Sequence, residues 1–361
     1  MRSKAMNRLS WNGKSILFTS ILAGSLSPLA AQSALVAPPA ASTLSMTEQP
    51  QPAVIDRDMT GITRYSNGYF INADPRNAGV HLRDGFGKLI GQFTANLGPS
   101  ETGTTFFLRD AAAITDGTLV ITAGAALANG AYENFLVHAD QNGKVLSLLR
   151  TGTYSAQHLC VTPDNAIWTF GHDEQSDEAG NFSYDMLRNY SLNSGLVQSA
   201  VKRSTFTRHT FAYQTVNFHM ACSATRVGVY AGTNEWIQYT PATGRLGRWK
   251  VDTSTFPRNF MLVGFAYLPM GAGHVYATVQ GRTQDGRDAN PGTLFELAYS
   301  QADDKLHWEP VAGTIPPAGK EYGTIAQLYG SDDNKLVYDG PMRQLRWAQP
   351  VFRTTTTAAA P

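Results

Sequence analysis

A unit of about fifty residues recurs along this chain, and repetition at that period restricts the available folds more than any other sequence feature. Five segments share an alternating strand, a turn in which Gly or Asp precedes Lys, Arg or Leu, and a second strand. Their turns lie at Gly87–Leu89, Gly143–Val145, Gly195–Val197, Gly244–Leu246 and Asp304–Leu306. The period runs from roughly 49 to 60 residues, as expected when loops of different length are inserted between repeats.

A more apolar hairpin precedes each of these segments. His158–Gly171 and His219–Gly232 align without a gap at an offset of 61 residues, so that His158 matches His219 and Glu174 matches Glu235. Comparable hairpins lie at 62–72, 111–124, 260–279 and 324–338. Two hairpins per repeat amount to four antiparallel strands, and the sequence predicts six such units.

Four-stranded antiparallel units repeated in this way are the sequence signature of a β-propeller. Apolar runs such as Leu119–Ile121 and Phe260–Val263 fit inner strands, which are buried on both faces, whereas the polar Arg188–Ser191 fits an outer strand. We therefore predict an all-β fold, a single β-propeller with six four-stranded blades. Five or seven blades are the open alternatives, and a two-sheet sandwich would not require this repeat.

One turn resembles a known motif. Val161–Trp168, with the sequence VTPDNAIW, is similar to the Pro-Asp-Gly-x-Ile-Trp turn of six-bladed propellers of the NHL, TolB-like, gluconolactonase-like and streptogramin-lyase-like kinds. The resemblance covers one or two blades as a motif and the whole mature chain as an architecture. The NHL pattern places Asp and Asn-x-Arg after this turn, where Gly171–Glu174 stands here. The resemblance therefore implies the six-bladed fold and no particular reaction.

The two ends of the chain differ from the repeats. Basic residues between Arg2 and Lys14 precede a short apolar run, and the small residues Ala31 and Ser33 suit the −3 and −1 positions of a cleavage site, which is the pattern of a secretory signal. An uncleaved membrane anchor is the alternative. We expect a signal peptide at 1–33, an Ala/Pro/Ser/Thr linker at 34–52, the propeller at 53–353 and a disordered Thr/Ala tail at 354–361. The predicted location is secreted or periplasmic, without a membrane segment after cleavage.

The last repeat shows three strands, so another part of the chain must close the ring. Ala53–Asp56 and Val351–Arg353 are the two candidates for the missing outer strand. Either strand would remove an exposed sheet edge.

Charge gives little indication of a partner. The chain has 29 Lys and Arg residues against 28 Asp and Glu, a net charge of +1. This balance offers no electrostatic reason to propose nucleic acid or an anionic membrane. We expect a monomer whose partner is a small molecule or a protein.

Polar residues precede the innermost strands of the predicted blades. Because the loops that lead into these strands gather at one mouth of a propeller channel, we expect a ligand-binding site there. Its predicted members are Arg109, Asp110, Gln157, His158, Asn217, His219, Arg258, Asn259, Glu321 and Tyr322. Variable loops on a rigid ring favour a binding or scaffold module.

A catalytic alternative uses the two aligned histidines. His158 and His219, together with Glu174 or Glu235, have the side chains for a divalent metal site or for general-base catalysis in a metal-assisted hydrolase, lactonase or lyase. Zinc and calcium are the metals considered. No short His-x-His spacing supports a metal site, and hydrogen bonds from these imidazoles to the channel rim are the competing interpretation. The acidic segments 172–181 and 285–290 lack the order of a calcium-binding loop.

The two cysteines, Cys160 and Cys222, fall in neighbouring repeats. An exported protein permits a disulfide bond, but the alignment places these residues on opposite faces of their strands. Facing sheets lie about 10 Å apart, beyond the roughly 7 Å limit between bridged α-carbons. We therefore expect two buried thiols, with a disulfide as the alternative if the sheets converge near the axis.

Overall fold

A computed structural model of the protein describes most of the predicted propeller. The described residues are 36–39, 43–48, 64–74, 79–94, 103–127, 130–206, 218–256, 260–268, 273–282, 288–289, 294–311, 328–332, 335–339 and 345–352. The chain divides into two units, Met1–Leu35 and Val36–Pro361, and every described residue belongs to the second. The predicted signal peptide and C-terminal tail therefore lie outside the described residues.

Antiparallel strands dominate the fold. Sheet 1 contains β2 (Arg64–Ser66), β3 (Tyr69–Asp74), β4 (Gly79–Arg83) and β5 (Leu89–Thr94). Sheet 2 contains β6 (Gly103–Ala113), β7 (Leu119–Leu127), β8 (Tyr132–Ala139) and β9 (Val145–Gly152). Sheet 3 contains β10 (Tyr154–Val161), β11 (Ile167–Asp173), β12 (Asp185–Ser191) and β13 (Gly195–Lys202). Each of these sheets is a meander in which strands adjacent in sequence are also adjacent in space.

Sheet 4 has nine strands in two meanders. The first, sheet 4a, contains β14 (His219–Cys222), β15 (Val227–Ala231), β16 (Glu235–Thr240) and β17 (Arg245–Asp252). The second, sheet 4b, contains β18 (Met261–Leu268), β19 (His274–Arg282), β20 (Asp288–Ala289), β21 (Leu294–Ser300) and β22 (Lys305–Pro310). Two residue pairs of a parallel ladder between β17 and β22 join the meanders.

The N-terminal part of the second unit completes the last sheet. Sheet 5 contains β23 (Leu328–Asp332), β24 (Lys335–Asp339), β25 (Leu345–Phe352) and β1 (Thr43–Glu48). β1 pairs antiparallel with β25, so the prediction of a linker at 34–52 is wrong for residues 43–48. Val351 and Phe352 belong to β25 itself, and Ala53–Asp56 lies outside the described residues. Pairing with β1 satisfies the backbone N–H and C=O groups on the edge of β25 that β24 leaves unpaired.

The first strands of the six meanders form a closed ring around the central axis. β2, β6, β10, β14, β18 and β23 contact one another in this order, and β23 contacts β2. Each of them is also the end strand of its sheet or meander. The all-β, propeller-like arrangement predicted from the repeat is therefore confirmed.

Burial follows the predicted division between inner and outer strands. All five residues of β15 are buried, whereas Leu196 and Val197 of the outer strand β13 are exposed. The VTPDNAIW segment makes a tight turn in which Asn165 has a φ of +65°, a conformation that glycine supplies in the related motif.

Helical structure is sparse in the described part of the chain. The helix α1 (Glu174–Glu178) is capped by Asp173, whose side chain accepts from the Ser176 N–H, and a 3-10 turn covers Arg203–Thr205. No helix among the described residues combines the length and the apolar character that crossing a membrane requires.

A disulfide bond joins Cys160 of β10 to Cys222 of β14, and the two Cα atoms are 5.8 Å apart. The prediction of two buried thiols is therefore wrong. Side chains on opposite faces of equivalent strands in neighbouring sheets point toward each other, so the alignment in fact favours contact. The 10 Å spacing between sheets does not apply here, because β10 and β14 are the innermost strands, where the sheets converge.

Candidate functional site at the ring axis

An ion pair between Arg64 and Asp110 lies at the axis. Arg64 opens β2, Asp110 lies in β6, and Nη2 of the arginine is 2.9 Å from Oδ2 of the aspartate. Nη1 of Arg64 also donates to the carbonyl of Leu159 in β10. Asp110 Oδ2 in turn accepts the backbone N–H of Leu159 at 2.9 Å. The pair thus ties together the inner edges of sheets 1, 2 and 3.

A β-bulge recurs in four of the innermost strands and determines the direction of the side chain that follows it. The ladder shifts between Leu108 and Asp110, Ala156 and His158, Leu262 and Gly264, and Leu328 and Gly330. A bulge re-aims the next side chain, and here that position is polar in sheets 2 and 3 but glycine in sheets 4b and 5. A Cβ on Gly264 would overlap the backbone of Leu328, so glycine allows β18 and β23 to approach.

The two aligned histidines each stack on an aromatic ring. His158 stacks on Phe218 of the next repeat, with ring centroids 4.6 Å apart, and His219 stacks on Phe265 of the following one at 5.3 Å. His219 Nε2 also lies 3.2 Å from the Leu262 carbonyl oxygen, to which it donates. Burial lowers the pKa of His158 to about 4 and the pKa of His219 to about 3. Both rings are therefore neutral at pH 7.

We expect acid to destabilise the fold through these two rings. Their folded pKa values lie below the value of about 6.5 in an unfolded chain, so the unfolded state binds more protons between pH 6.5 and pH 3. Their contribution to stability is therefore complete above pH 6.5 and is lost as the pH falls towards 3. The loss by pH 4 is on the order of 3 kcal/mol for each histidine.

The measurement is urea unfolding at pH 7, 5.5 and 4 for the wild type and for a His158→Phe, His219→Phe double variant. Phenylalanine keeps the stacking and does not titrate, so the double variant should lose less stability between pH 7 and pH 4. The matched control is His81→Phe, which changes a histidine of β4 away from the axis. An equal pH dependence in the double variant and the wild type would contradict the prediction.

A cavity of about 630 Å³ extends along the axis from the level of Arg64 and His219 to the turns that follow the first strands. Its wall includes backbone and side chains of β14, β18 and β23, and Thr115 and Ala224 lie at its turn end. Among the described lining residues, Arg64 alone carries a charge. The disulfide bond between Cys160 and Cys222 also forms part of the wall.

The predicted binding residues do not all meet at this cavity. Of the ten, Asn217, Arg258, Asn259, Glu321 and Tyr322 lie outside the described residues. Among the other five, His219 lines the cavity, and Asp110 is ion-paired with Arg64, which lines it. Gln157 donates instead to the Ser155 hydroxyl at 2.8 Å.

Arg109 belongs to a separate polar cluster beside the axis. Its Nη2 donates to the Tyr132 hydroxyl at 2.5 Å and to Asn134 Oδ1 at 2.9 Å. Glu174 Oε1 lies 3.8 Å from the same nitrogen and 4.0 Å from His172 Nε2. The structure therefore places Glu174 with Arg109 and His172 rather than with His158.

Glu235 is committed to an ion-paired position. It is 2% exposed, it lies 2.5 Å from Arg248, and it also pairs with Lys250. The aligned Glu174 is not its structural equivalent, because Glu174 begins the inserted helix α1 whereas Glu235 begins β16.

The metal-binding geometry that the described residues do offer lies elsewhere. Ligand atoms of Asp252, Asp303 and His307 are all within 4.8 Å of one another at the junction of sheets 4a and 4b. The His307 ring lies between the two carboxylates, 3.6 Å from Asp252 and 2.9 Å from Asp303, and so supports the parallel ladder. The candidate set of His158, His219, Glu174 and Glu235 does not form such a group within the described part of the chain.

The binding residues predicted from the sequence do not include Arg64. The first predicted hairpin begins at Ile62, which puts Arg64 inside a strand rather than in the loop that leads into it. An arginine in the innermost strand of a repeat was the available signal, because a charge at the axis needs a partner.

Comparisons with known proteins leave the family open. No protein-family model and no curated protein matches the sequence. Among solved structures, the WD40 repeats of RRP9 resemble the chain with a TM-score of 0.41 and 10% identity, over 88% of this chain and 99% of that one. A protein of unknown function from Bacteroides caccae gives a TM-score of 0.39 and 11% identity, over 69% and 80%. The propeller assignment rests on the strand pairing and the closed ring of first strands.

Proposed function

We propose that the protein is an exported, monomeric six-bladed propeller that binds a small ligand in its axial cavity and carries out no reaction of its own. The count of six treats sheets 4a and 4b as separate blades, because each is a complete meander and two residue pairs join them. The basic and apolar N-terminal pattern supports export, and so does the disulfide bond, which persists in oxidising compartments.

The cavity carries this proposal. A volume of about 630 Å³ falls within the range of roughly 300–1,000 Å³ that small-molecule sites occupy. The charged groups beside the cavity are already paired within the protein, since Arg64 and Asp110 bond to each other and to the backbone of Leu159. What remains at the axis is a rigid space with polar and apolar walls, which is the usual form of a ligand site.

The alternative of a metal-assisted hydrolase, lactonase or lyase receives less support. Such a site needs several side chains aimed at one reacting point. His158 and His219 instead stack on Phe218 and Phe265 of the neighbouring repeats, which is how residues that join blades behave.

Blocking the turn end of the cavity is expected to remove ligand binding. Ala224 is exposed in the turn after β14 and lines the cavity, so an Ala224→Trp side chain can fill this opening. Ala242 is exposed in the outer turn of the same meander, and Ala242→Trp is the matched control. A ligand at 100 times its Kd stabilises a protein by about 2.7 kcal/mol, which a thermal-shift screen of a small-molecule library detects.

Ligands that raise the Tm of the wild type and of Ala242→Trp should fail to raise the Tm of Ala224→Trp. Equal Tm increases in all three proteins would place binding outside the cavity and contradict the proposed function.

A further inference from the structure

We infer that the axial cavity binds an uncharged, polyhydroxylated molecule of mono- or disaccharide size. This inference rests on the proposed binding function and adds the chemical class of the ligand. It follows from which backbone groups line the wall, which of them are already bonded, and which charges face the space.

The wall is made of sheet edges. β14, β18 and β23 are end strands, and the free side of an end strand presents unpaired N–H and C=O groups. On the opposite side of the axis, side chains hydrogen-bond to the backbone groups on the free edges of the innermost strands. Asn67 Nδ2 donates to the carbonyls of Ala113 at 2.8 Å and Val161 at 3.3 Å, and Arg64 donates to Leu159.

The edges of β14 and β18 are open by comparison. Met220, Cys222 and Phe265 line the cavity, and their backbone groups face the free side of their strands. The Ser223 N–H bonds to the Arg226 carbonyl at the end of the β14–β15 ladder, and because bonded and non-bonded pairs alternate along such a ladder, Met220 and Cys222 are non-bonded positions.

In β18, the Ser331 hydroxyl reaches the Tyr267 carbonyl from the free side, which places Phe265, two residues earlier, on that side as well. No side chain in the described part of the chain hydrogen-bonds to the backbone of Met220, Cys222 or Phe265. A ligand in the cavity therefore meets donors and acceptors that alternate along the strands.

Hydroxyl groups match such a wall because each one both donates and accepts. A polyhydroxylated molecule bonds to N–H and C=O groups alike, whereas a ligand of donors alone or acceptors alone leaves half of the edge groups unpaired. Side-chain hydroxyls of four lining residues donate to protein oxygens and can accept from ligand hydroxyls; they belong to Ser66, Thr115, Ser223 and Ser331. The apolar surfaces of Met220 and Phe265 in the wall suit the C–H faces of a sugar ring.

The charges favour an uncharged ligand. Arg64 is the charged member of the described wall, and Asp110 neutralises it at 2.9 Å. An anion would compete with Asp110 for the guanidinium and be repelled by the carboxylate. A cation would find the carboxylate of Asp110 already bonded to Arg64 and to the Leu159 N–H. Transfer of an unpaired charge from water into this space is therefore unfavourable.

Calorimetric titration of the disulfide-intact protein tests the inference. The uncharged probes are glucose, maltose, cellobiose and myo-inositol, and the charged probes are glucuronate, glucosamine and inorganic phosphate. We expect at least one uncharged probe to bind the wild type and Ala242→Trp with Kd values within about twofold. Ala224→Trp should weaken that Kd by about tenfold or more. Thr115→Trp, which enters from the turn of another blade, repeats the test if Ala224→Trp lowers the Tm.

The outcomes separate this inference from the proposed function. Binding of glucuronate, glucosamine or phosphate that Ala224→Trp abolishes, without binding of any uncharged probe, would overturn the ligand class and leave the cavity as the binding site. An uncharged probe that binds all three proteins equally would overturn the inference as well, because its site would lie elsewhere. Absence of binding by every uncharged probe also overturns it, while the library screen judges the proposed function independently.

Discussion

Replacing Cys160 and Cys222 with alanine is expected to lower the free energy of unfolding by about 4 kcal/mol. The disulfide bond spans a sequence separation of 62 residues. Without the bond, the unfolded chain gains conformational entropy, and the folded state becomes less stable relative to it. The bond also joins the innermost strands of two neighbouring meanders, so its removal loosens the ring where the cavity lies. Equilibrium unfolding in guanidinium chloride without reductant measures the difference.

Two controls isolate the bond from the side chains. Dithiothreitol should lower the stability of the wild type to nearly that of the Cys160→Ala, Cys222→Ala variant, and it should leave the variant unchanged. If reductant shifts both proteins equally, or neither, the cysteines are not paired in the folded protein. A second readout is ligand affinity, because both cysteines line the cavity.

The repeat predicted the propeller because the features that define it are set by residues close together in the sequence. Runs such as Leu119–Ile121 are buried and outer residues such as Leu196 are exposed, which follows from burial of inner strands on both faces. Asn165 adopts the positive φ that its turn requires. Period, strand pattern and turn residues are all short-range properties, and they agree with one another, which favours a single fold.

The closing strand was not predictable in the same way. Thr43–Glu48 has the sequence TLSMTE and lies in a segment rich in Ala, Pro, Ser and Thr, which by composition is typical of a linker. Its pairing with β25 depends on an exposed edge about 300 residues away in the chain. Long-range pairing of this kind leaves no periodic signal in the short strand itself.

The site was predicted less well than the fold because it depends on bulges and on contacts between repeats. His158 and His219 were expected at one channel mouth, and the structure turns each of them onto an aromatic ring of the next repeat. Arg64 and Asp110 are far apart in sequence and pair only because β2 and β6 are neighbours in the ring.

Removing the carboxylate of Glu296 is expected to destabilise the protein by about 3–5 kcal/mol, because it breaks a buried, hydrogen-bonded pair. Glu296 is 1% exposed, and its Oε1 lies 2.9 Å from His274 Nδ1. Its Oε2 accepts the backbone N–H of Thr43, the first residue of β1, at 3.1 Å. The Thr43 hydroxyl lies 2.7 Å from the Tyr276 hydroxyl, so one buried cluster in sheet 4b fixes the strand that completes sheet 5.

Glu296→Ala has a matched control in Glu309→Ala. Glu309 is the cross-strand partner of Glu296 in the β21–β22 ladder, and it is exposed. Urea unfolding should show the large loss for Glu296→Ala and a change within about 0.5 kcal/mol for Glu309→Ala. Hydrogen exchange should accelerate in Thr43–Glu48 for the first variant alone. Equal stabilities of the two variants, or unchanged exchange in β1, would show that Glu296 does not hold the closing strand.

The same contact predicts a coupling that a merely structural carboxylate would not produce. Deleting residues 34–48 removes β1, and the remaining His274–Glu296 pair then has no strand to hold. The losses caused by the deletion and by Glu296→Ala should therefore sum to more than the loss in the combined variant, by an interaction free energy of about 1 kcal/mol or more. Simple additivity would mean that the cluster and the ring closure are independent. Non-additivity would identify Glu296 as the residue through which the N-terminal strand stabilises the ring.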